Sequence, residues 1–308
     1  MAKRKKKKFK ELVIGVLMGG MSEEREISLI SGRAAASELR KNGHTVKMVD
    51  VDRNSVEKIK KAGIDVAFPV LHGRYGEDGI MQGILEFIGI PYTGSGVAAS
   101  AIAMNKIKTK QIMKAAGIPT PKWMVMCGRD GFKKTGLKYP LVFKPEDGGS
   151  AVDVAIVKNV SQARKSFEKI SSGGRAVLVE EYIKGTEITV PVLLDRTLPI
   201  IEIVPQNEFY DYDAKYTKGK STHIIPARIS EKTRYEASAL ALKLHRELGC
   251  RDYSRVDMMV RGGRCYVLEI NTLPGMTDVS LFPEAARAAG ISFYKLIITL
   301  IKEAVKRS

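Results

Sequence analysis

Short apolar, β-branched runs alternate with helical stretches over the first third of the chain. Strands are predicted at 12–18, 44–51 and 66–71, with helices at 27–41 and 78–88. That alternation specifies a parallel, doubly wound sheet. The first strand runs into Gly19-Gly20-Met21-Ser22, and the third into His72-Gly73-Arg74-Tyr75-Gly76-Glu77-Asp78-Gly79. In such sheets the loops at the carboxyl edge hold ligands.

The pattern changes near Asn105. A lysine-rich helix over 105–116 stops at Gly117 and Pro119, and then short strands (123–126, 141–144, 155–157 and 177–182) surround a helix at 161–170. Longer strands follow at 188–194 and 199–204, then a polar stretch over 207–222 that reads as a flap, and a helix at 232–248. A hairpin spans 255–271, and a closing helix puts Phe293, Leu296, Ile297, Leu300 and Ile301 on one face. The expected division is a disordered basic tail at 1–10, an α/β domain at 11–104, a central domain at 105–186 and a C-terminal domain at 187–308.

Composition narrows the class. With 308 residues and 44% hydrophobic positions the chain can bury more than one core, and no apolar run approaches the ~18 residues of a membrane span. Cys127, Cys250 and Cys265 lack metal-ligand spacing, which argues against a disulfide framework or zinc site and for a reducing cytoplasm. Of the formal charge of +17, seven belong to the lysines and arginine of residues 3–10, leaving +10 elsewhere. Such an arm is expected to be solvated rather than a specific nucleic-acid reader, and the remaining excess suits a phosphate-bearing substrate.

The hairpin carries the sharpest chemistry. Gly262-Gly263 marks its turn; a three-residue loop ending at Arg264 puts Asp257 directly opposite Glu269, with Asn271 on the same face. A two-residue loop shifts the register and separates the acids. In the first case the oxygens suit a hard Mg²⁺, which shares its remaining positions with phosphates. Lys144, at a strand end, precedes Gly148-Gly149-Ser150, a loop able to turn backbone N–H groups toward phosphate, and Lys106 heads the preceding helix as a second cation. The order Gly-Lys-Ser/Thr of a P-loop is missing. Glu180 and Glu187 bracket Tyr182 and Ile183, where backbone groups suit an adenine edge and a carboxylate suits ribose hydroxyls.

Taken in order, these segments resemble the ATP-grasp superfamily and, within it, the D-alanine–D-alanine ligase family. The resemblance runs from Val13 onward and rests on five motifs, beginning at Gly19, Leu71, Pro91, Tyr210 and Glu269. It implies a three-domain ATP-grasp architecture, with an N-terminal doubly wound parallel sheet and two α+β domains enclosing the nucleotide. The implied reaction joins two D-alanines through an acyl phosphate, with ATP as co-substrate and Mg²⁺ (Mn²⁺ as a substitute) on Asp257, Glu269 and Asn271. By resemblance Glu24 accepts the first ammonium, latched to Ser150 and Tyr216, and His72 lies near that substrate. Arg255 and the backbone of Gly275 hold the oxyanion, while Ser280 and Leu281 hold the second carboxylate. Lys106, Lys144 and Lys215 meet phosphates, and Glu180 and Glu187 meet the nucleoside. A cytoplasmic homodimer is implied, and D-lactate or D-serine is the alternative acceptor.

Two positions depart from the family's Gly-Ser-Ser-Val-Gly loop: Ala151 replaces a hydroxyl and Asp153 a glycine. Asp153, if turned inward, adds a negative charge near triphosphate and weakens its binding.

Overall fold

The structure, a computed structural model, describes residues 8–127, 131–149, 152–205, 221–277 and 279–307. The chain divides into two compact units. One holds residues up to Ala101, Gly249–Ser254 and Thr272 onward; the other holds Ile102–Leu248 and Arg255–Asn271.

In the first unit β1 (Val13–Gly19), β2 (Thr45–Val51) and β3 (Val66–Pro69) form a parallel sheet of order β2-β1-β3. Strand β1 is buried on both faces almost throughout, as a central parallel strand must be, whereas edge strand β2 leaves Thr45, Lys47 and Met48 exposed and buries Val46, Val49 and Val51. On one face Leu17 meets Ile59 of α2 (Ser55–Ala62) and Met81 and Leu85 of α3 (Ile80–Phe87). Helix α1 (Arg25–Lys41) packs on β1 and β2. The expected doubly wound sheet is therefore present, and α2 is an addition that its lysines at 58, 60 and 61 concealed.

Helix α4 (Val97–Met104) leads out of this unit, and the chain returns to it for α8 (Leu281–Ala288) and α9 (Phe293–Lys306). The face of Leu296, Ile297, Leu300 and Ile301 is buried, and α9 packs against α1 and β3. Phe9 and Lys10, assigned by sequence to the basic tail, belong instead to a short 3-10 turn, Phe9–Glu11, whose Phe9 ring packs edge-on against His44.

The second unit contains two antiparallel sheets. Strands β4 (Trp123–Met126), β5 (Leu141–Pro145), β6 (Ala155–Val157) and β7 (Val177–Glu181) assemble in the order β4-β7-β5-β6. Helix α6 (Val160–Ile170) seals one face with Ala163, Phe167 and Ile170. Helix α5 (Lys106–Ala115) precedes this sheet, its first turn capped by Asn105, which accepts the Lys108 N–H at 3.0 Å.

The other sheet has the order β11-β10-β8-β12-β13, built from β8 (Thr186–Leu193), β10 (Ile201–Pro205), β11 (Ser221–Ile224), β12 (Tyr253–Arg261) and β13 (Arg264–Asn271), with β9 (Arg196–Thr197) beside β8. Helix α7 (Glu231–Glu247) packs on β8 and β13. Among the described residues no helix is long and apolar enough to cross a membrane.

Asp252 anchors the chain's return to the first unit. Its buried carboxylate accepts the Gly94 N–H at 2.7 Å and a two-pronged bond from Arg307, one prong at 2.8 Å. Its φ of +60° is tolerated by Asn and Asp better than by most residues. Asp252→Asn keeps that tolerance and removes the charge, so it is expected to lower stability by about 2 kcal/mol. Urea unfolding of the full chain measures this; a shift below about 0.5 kcal/mol would show that the charge contributes nothing.

Candidate active site

The loop between β1 and α1 is fixed from three sides. Arg25 forks onto Asp50 with two bonds of 2.7 Å and reaches the Gly20 carbonyl at 3.1 Å. Ser28 accepts the Gly19 N–H at 2.9 Å and donates to Val70 O at 2.7 Å, and Ser22 donates to His72 O at 2.7 Å. These bonds present Glu24, buried at the N-cap of α1. Beside it His72 is buried, its Nδ1 3.3 Å from Glu77 Oε1. Burial pushes the Glu77 carboxyl up, against the pull of His72, and the charge of Glu24 adds to the rise. Sequence reasoning quoted Glu77 in its motif without a role; an acid five residues after the histidine in a glycine-rich loop was the available signal.

Ser280 occupies the N-cap position of α8 without a side-chain bond to the helix's own N–H groups, with Leu281 buried behind it. Its hydroxyl accepts the Thr277 N–H at 3.0 Å and pairs with Thr277 Oγ1 at 2.7 Å. A Cβ at Gly275 would lie 2.8 Å from that hydroxyl, so only glycine admits this approach of backbone to Ser280. Ser150, Lys215 and Tyr216 lie outside the described residues.

In the second unit the hairpin turns through two residues, Gly262 and Gly263, both at positive φ, with Arg261 paired to Arg264. Of the two loop lengths left open by the sequence, the two-residue one is present. Such a turn alone would set Asp257 against Leu268, but a β-bulge between the Asp257 and Met258 pairings makes Leu268 the extra residue and returns Asp257 to face Glu269. Asn271 pairs with Arg255 two positions along. The route differs from the expected one, and the juxtaposition is the same.

Asp257 is buried, and both of its oxygens accept hydrogen bonds. Arg255 donates to its two oxygens at 2.9 and 2.8 Å, Asn271 Nδ2 at 3.1 Å, and Thr189 Oγ1 at 2.5 Å. With the amide nitrogen of Asn271 on Asp257, its oxygen is the atom left for a metal. Among the described residues no three His, Cys, Asp or Glu side chains form a metal cluster. Two opposed carboxylates and an amide oxygen fit a hard cation that takes its other ligands from phosphate.

These strands line a cleft of about 360 Å³ with Lys106, Lys144, Glu187, Asp257 and Glu269 on its wall, and Val142, Ile183, Met259 and Leu268 supplying apolar surface. That combination of apolar wall and few polar groups is what a small-molecule site needs. Lys106 heads α5, its backbone N–H on Glu146 O at 2.7 Å and its Nζ on Gly148 O at 2.5 Å, so helix start and glycine loop are tied together. The Tyr182 N–H donates to Pro140 O at 3.2 Å, and Ile183 is buried.

Glu180 also lines this cleft, with its carboxylate bound between two lysines. Its oxygens lie 2.5 Å from Lys110 Nζ and 2.6 Å from Lys144 Nζ, and its side chain is 1% exposed. Burial works against this carboxylate, but the two lysines hold it below the ordinary glutamate range. Lys110 had no role in the sequence reading.

Asp153 does not turn its charge on the cleft. It takes φ of +58° and pairs with Lys169 (3.1 Å) and Arg175 (3.3 Å). Burial opposes its ionisation, and those two cations hold its carboxyl below the usual range.

Fold and cleft place the chain among the ATP-grasp enzymes, in which two antiparallel sheets hold a cation-lined nucleotide cleft and a separate α/β unit completes the molecule. Its relatives narrow the class. Residues 112–302 match the family described as D-ala D-ala ligase C-terminus, and residues 54–95 match D-ala D-ala ligase N-terminus. The D-alanine–D-alanine ligase of Geotalea uraniireducens is 49% identical, over 94% of this chain and 95% of that protein. That of Desulforudis audaxviator is 47% identical, over 96% and 99%. The crystal structure of the Bacillus anthracis D-alanine–D-alanine ligase complexed with ATP superposes with a TM-score of 0.86 at 36% identity, covering 96% of this chain and 98% of that one. The chain belongs to the D-alanine–D-alanine ligase family.

The bulge is directly testable. Inserting one alanine between Leu268 and Glu269 moves Glu269 one place along the ladder and onto the opposite face, so turnover is expected to fall at least about 10³-fold, the scale of losing a principal electrostatic group. Leu268→Ala keeps the bulge and should stay within roughly tenfold of the parent. Comparable rates in the insertion and the point variant would show that the pairing is immaterial.

Proposed function

We propose that the chain joins two D-alanines into D-alanyl-D-alanine for peptidoglycan precursors, cleaving ATP to ADP and phosphate. The carrying observation is the bulge-restored pairing of Asp257 with Glu269 in a cleft that also holds Lys106 and Lys144. The ATP in the Bacillus anthracis relative and the printed names of the curated relatives support it. The reading includes, by resemblance, a cytoplasmic homodimer.

A carboxylate resists attack because oxide is a poor leaving group. In the first step a carboxylate oxygen of D-alanine attacks the γ-phosphorus of ATP; the bond to the β–γ bridging oxygen breaks and ADP leaves. In the second, the amine of the other D-alanine attacks the acyl carbon, loses a proton, and phosphate departs. Lys106 and Lys144, with Lys215, hold the phosphates, and Glu187, Tyr182 and Ile183 hold the nucleoside. Asp257, Glu269 and Asn271 would hold Mg²⁺, whose charge offsets that of the transferring phosphoryl group when bound. Arg255, kept in orientation by its fork on Asp257, and the Gly275 N–H face the negative oxygen of the tetrahedral adduct. Glu24 receives the first ammonium, with Ser150 and Tyr216 as its latch and His72 alongside. Ser280 and the Leu281 N–H receive the second carboxylate.

Purified protein given ATP, Mg²⁺ and D-alanine should release one phosphate per dipeptide; ATP hydrolysis without dipeptide contradicts the assignment. EDTA should abolish turnover, and excess Mg²⁺ or Mn²⁺ should restore it. Glu269→Ala and Arg255→Ala should each lower kcat by about 10²–10⁴ while the circular dichroism spectrum stays that of the parent. Near-parental rates in either variant would remove that residue from the mechanism.

A further inference from the structure

Lys110 lies one helical turn beyond Lys106 on α5, and the two have different surroundings. The Lys110 side chain is 1% exposed. Its Nζ meets Glu180 Oε1 at 2.5 Å, the Thr120 hydroxyl, and Val267 O at 3.4 Å; that hydroxyl also bonds Val267 O at 2.7 Å. Protein groups enclose this ammonium, so it cannot itself touch a ligand. Packing alone would be served better by an apolar side chain, since desolvating an ammonium is costly.

The charge count supplies a reason. Without Lys110, Glu180 and Lys144 would be a neutral pair, with the one phosphate-facing cation of β5 cancelled by its own partner. With Lys110 the three groups sum to +1, and Lys144, at 12% exposure, carries that charge to the cleft wall. The same wall carries Glu187 and Glu269, whose field a triphosphate would otherwise meet.

We propose that Lys110 is a positioning residue for nucleotide binding: by taking one oxygen of Glu180 it leaves the charge of Lys144 to the phosphates, while Glu180 holds Lys144 in place. This rests on the nucleotide reading of the cleft.

Direct titration of ATP and of adenosine into the full-length protein tests the idea, because only ATP carries the charge. Lys110→Met is expected to weaken ATP at least about tenfold and adenosine less than about twofold. The double variant Lys110→Met/Glu180→Gln restores a net +1 and should recover ATP affinity to within about threefold of the parent. Equal losses for ATP and adenosine would make Lys110 merely structural, and an unchanged ATP affinity or an unrecovered double variant would overturn the charge argument. Should Lys110→Met fail to fold, the double variant decides alone: an ATP-to-adenosine affinity ratio more than about tenfold below the parent's refutes the proposal. A parent that binds ATP but makes no dipeptide refutes the ligase reading and leaves this test intact; a parent that binds no ATP refutes both.

Discussion

Two carboxylates opposite each other on an antiparallel ladder repel, yet β12 and β13 hold Asp257 against Glu269. The arrangement is tolerable because Asp257 is neutralised from its own strand by Arg255, with Thr189 and Asn271 completing its bonds. The bulge at Leu268 is what makes the encounter obligatory, since the Gly262-Gly263 turn would otherwise set the acids on opposite faces. A bulge adds local twist and leaves one residue unpaired, a cost a plain structural hairpin has no reason to carry. The pairing of the two acids and the place of Asn271 beside Asp257 depend on that bulge, while Arg255 reaches Asp257 along its own strand.

The rest of the cleft follows the same electrostatic logic. Glu187, Asp257 and Glu269 on the cleft wall would repel a triphosphate, so cations must outweigh them locally. Lys106 is tied to Gly148, Lys144 to Glu180, and Asp153 is occupied by Lys169 and Arg175. Asp153, at φ of +58°, stands where the pattern implied by the resemblance has glycine, and its charge is taken up by Lys169 and Arg175. Its charge is therefore spent away from the cleft.

Much of this was legible in the chain. Strand β1 reads as a continuous apolar run because it is buried on both faces, and the closing helix shows its stripe because only one face is covered. Helix α2 was missed because three lysines dilute the signal of Ile59. The hairpin turn was visible in Gly262-Gly263, but a bulge has no composition of its own; it arises from pairing between strands, which a linear pattern does not carry. Lys110 was invisible for a related reason. In a helix with lysines at 106, 108, 110 and 114, nothing local says which one is buried; that is decided by Glu180, seventy residues on.

The division of the chain explains why the hairpin's root matters most. Residues 249–254 and 272–308 belong to the first unit and 255–271 to the second, so Arg255 and Asn271 are the first and last residues of an excursion. Both junctions are paired to each other across the ladder, and both side chains bond to Asp257. A ligase of this kind must relate an amino acid to a γ-phosphate to within a fraction of an ångström, since small misplacements forfeit most of the advantage of proximity. Both ends of the excursion are thus held within the second unit by one carboxylate, so the hairpin's root is fixed by a single buried group and not by a flexible linker.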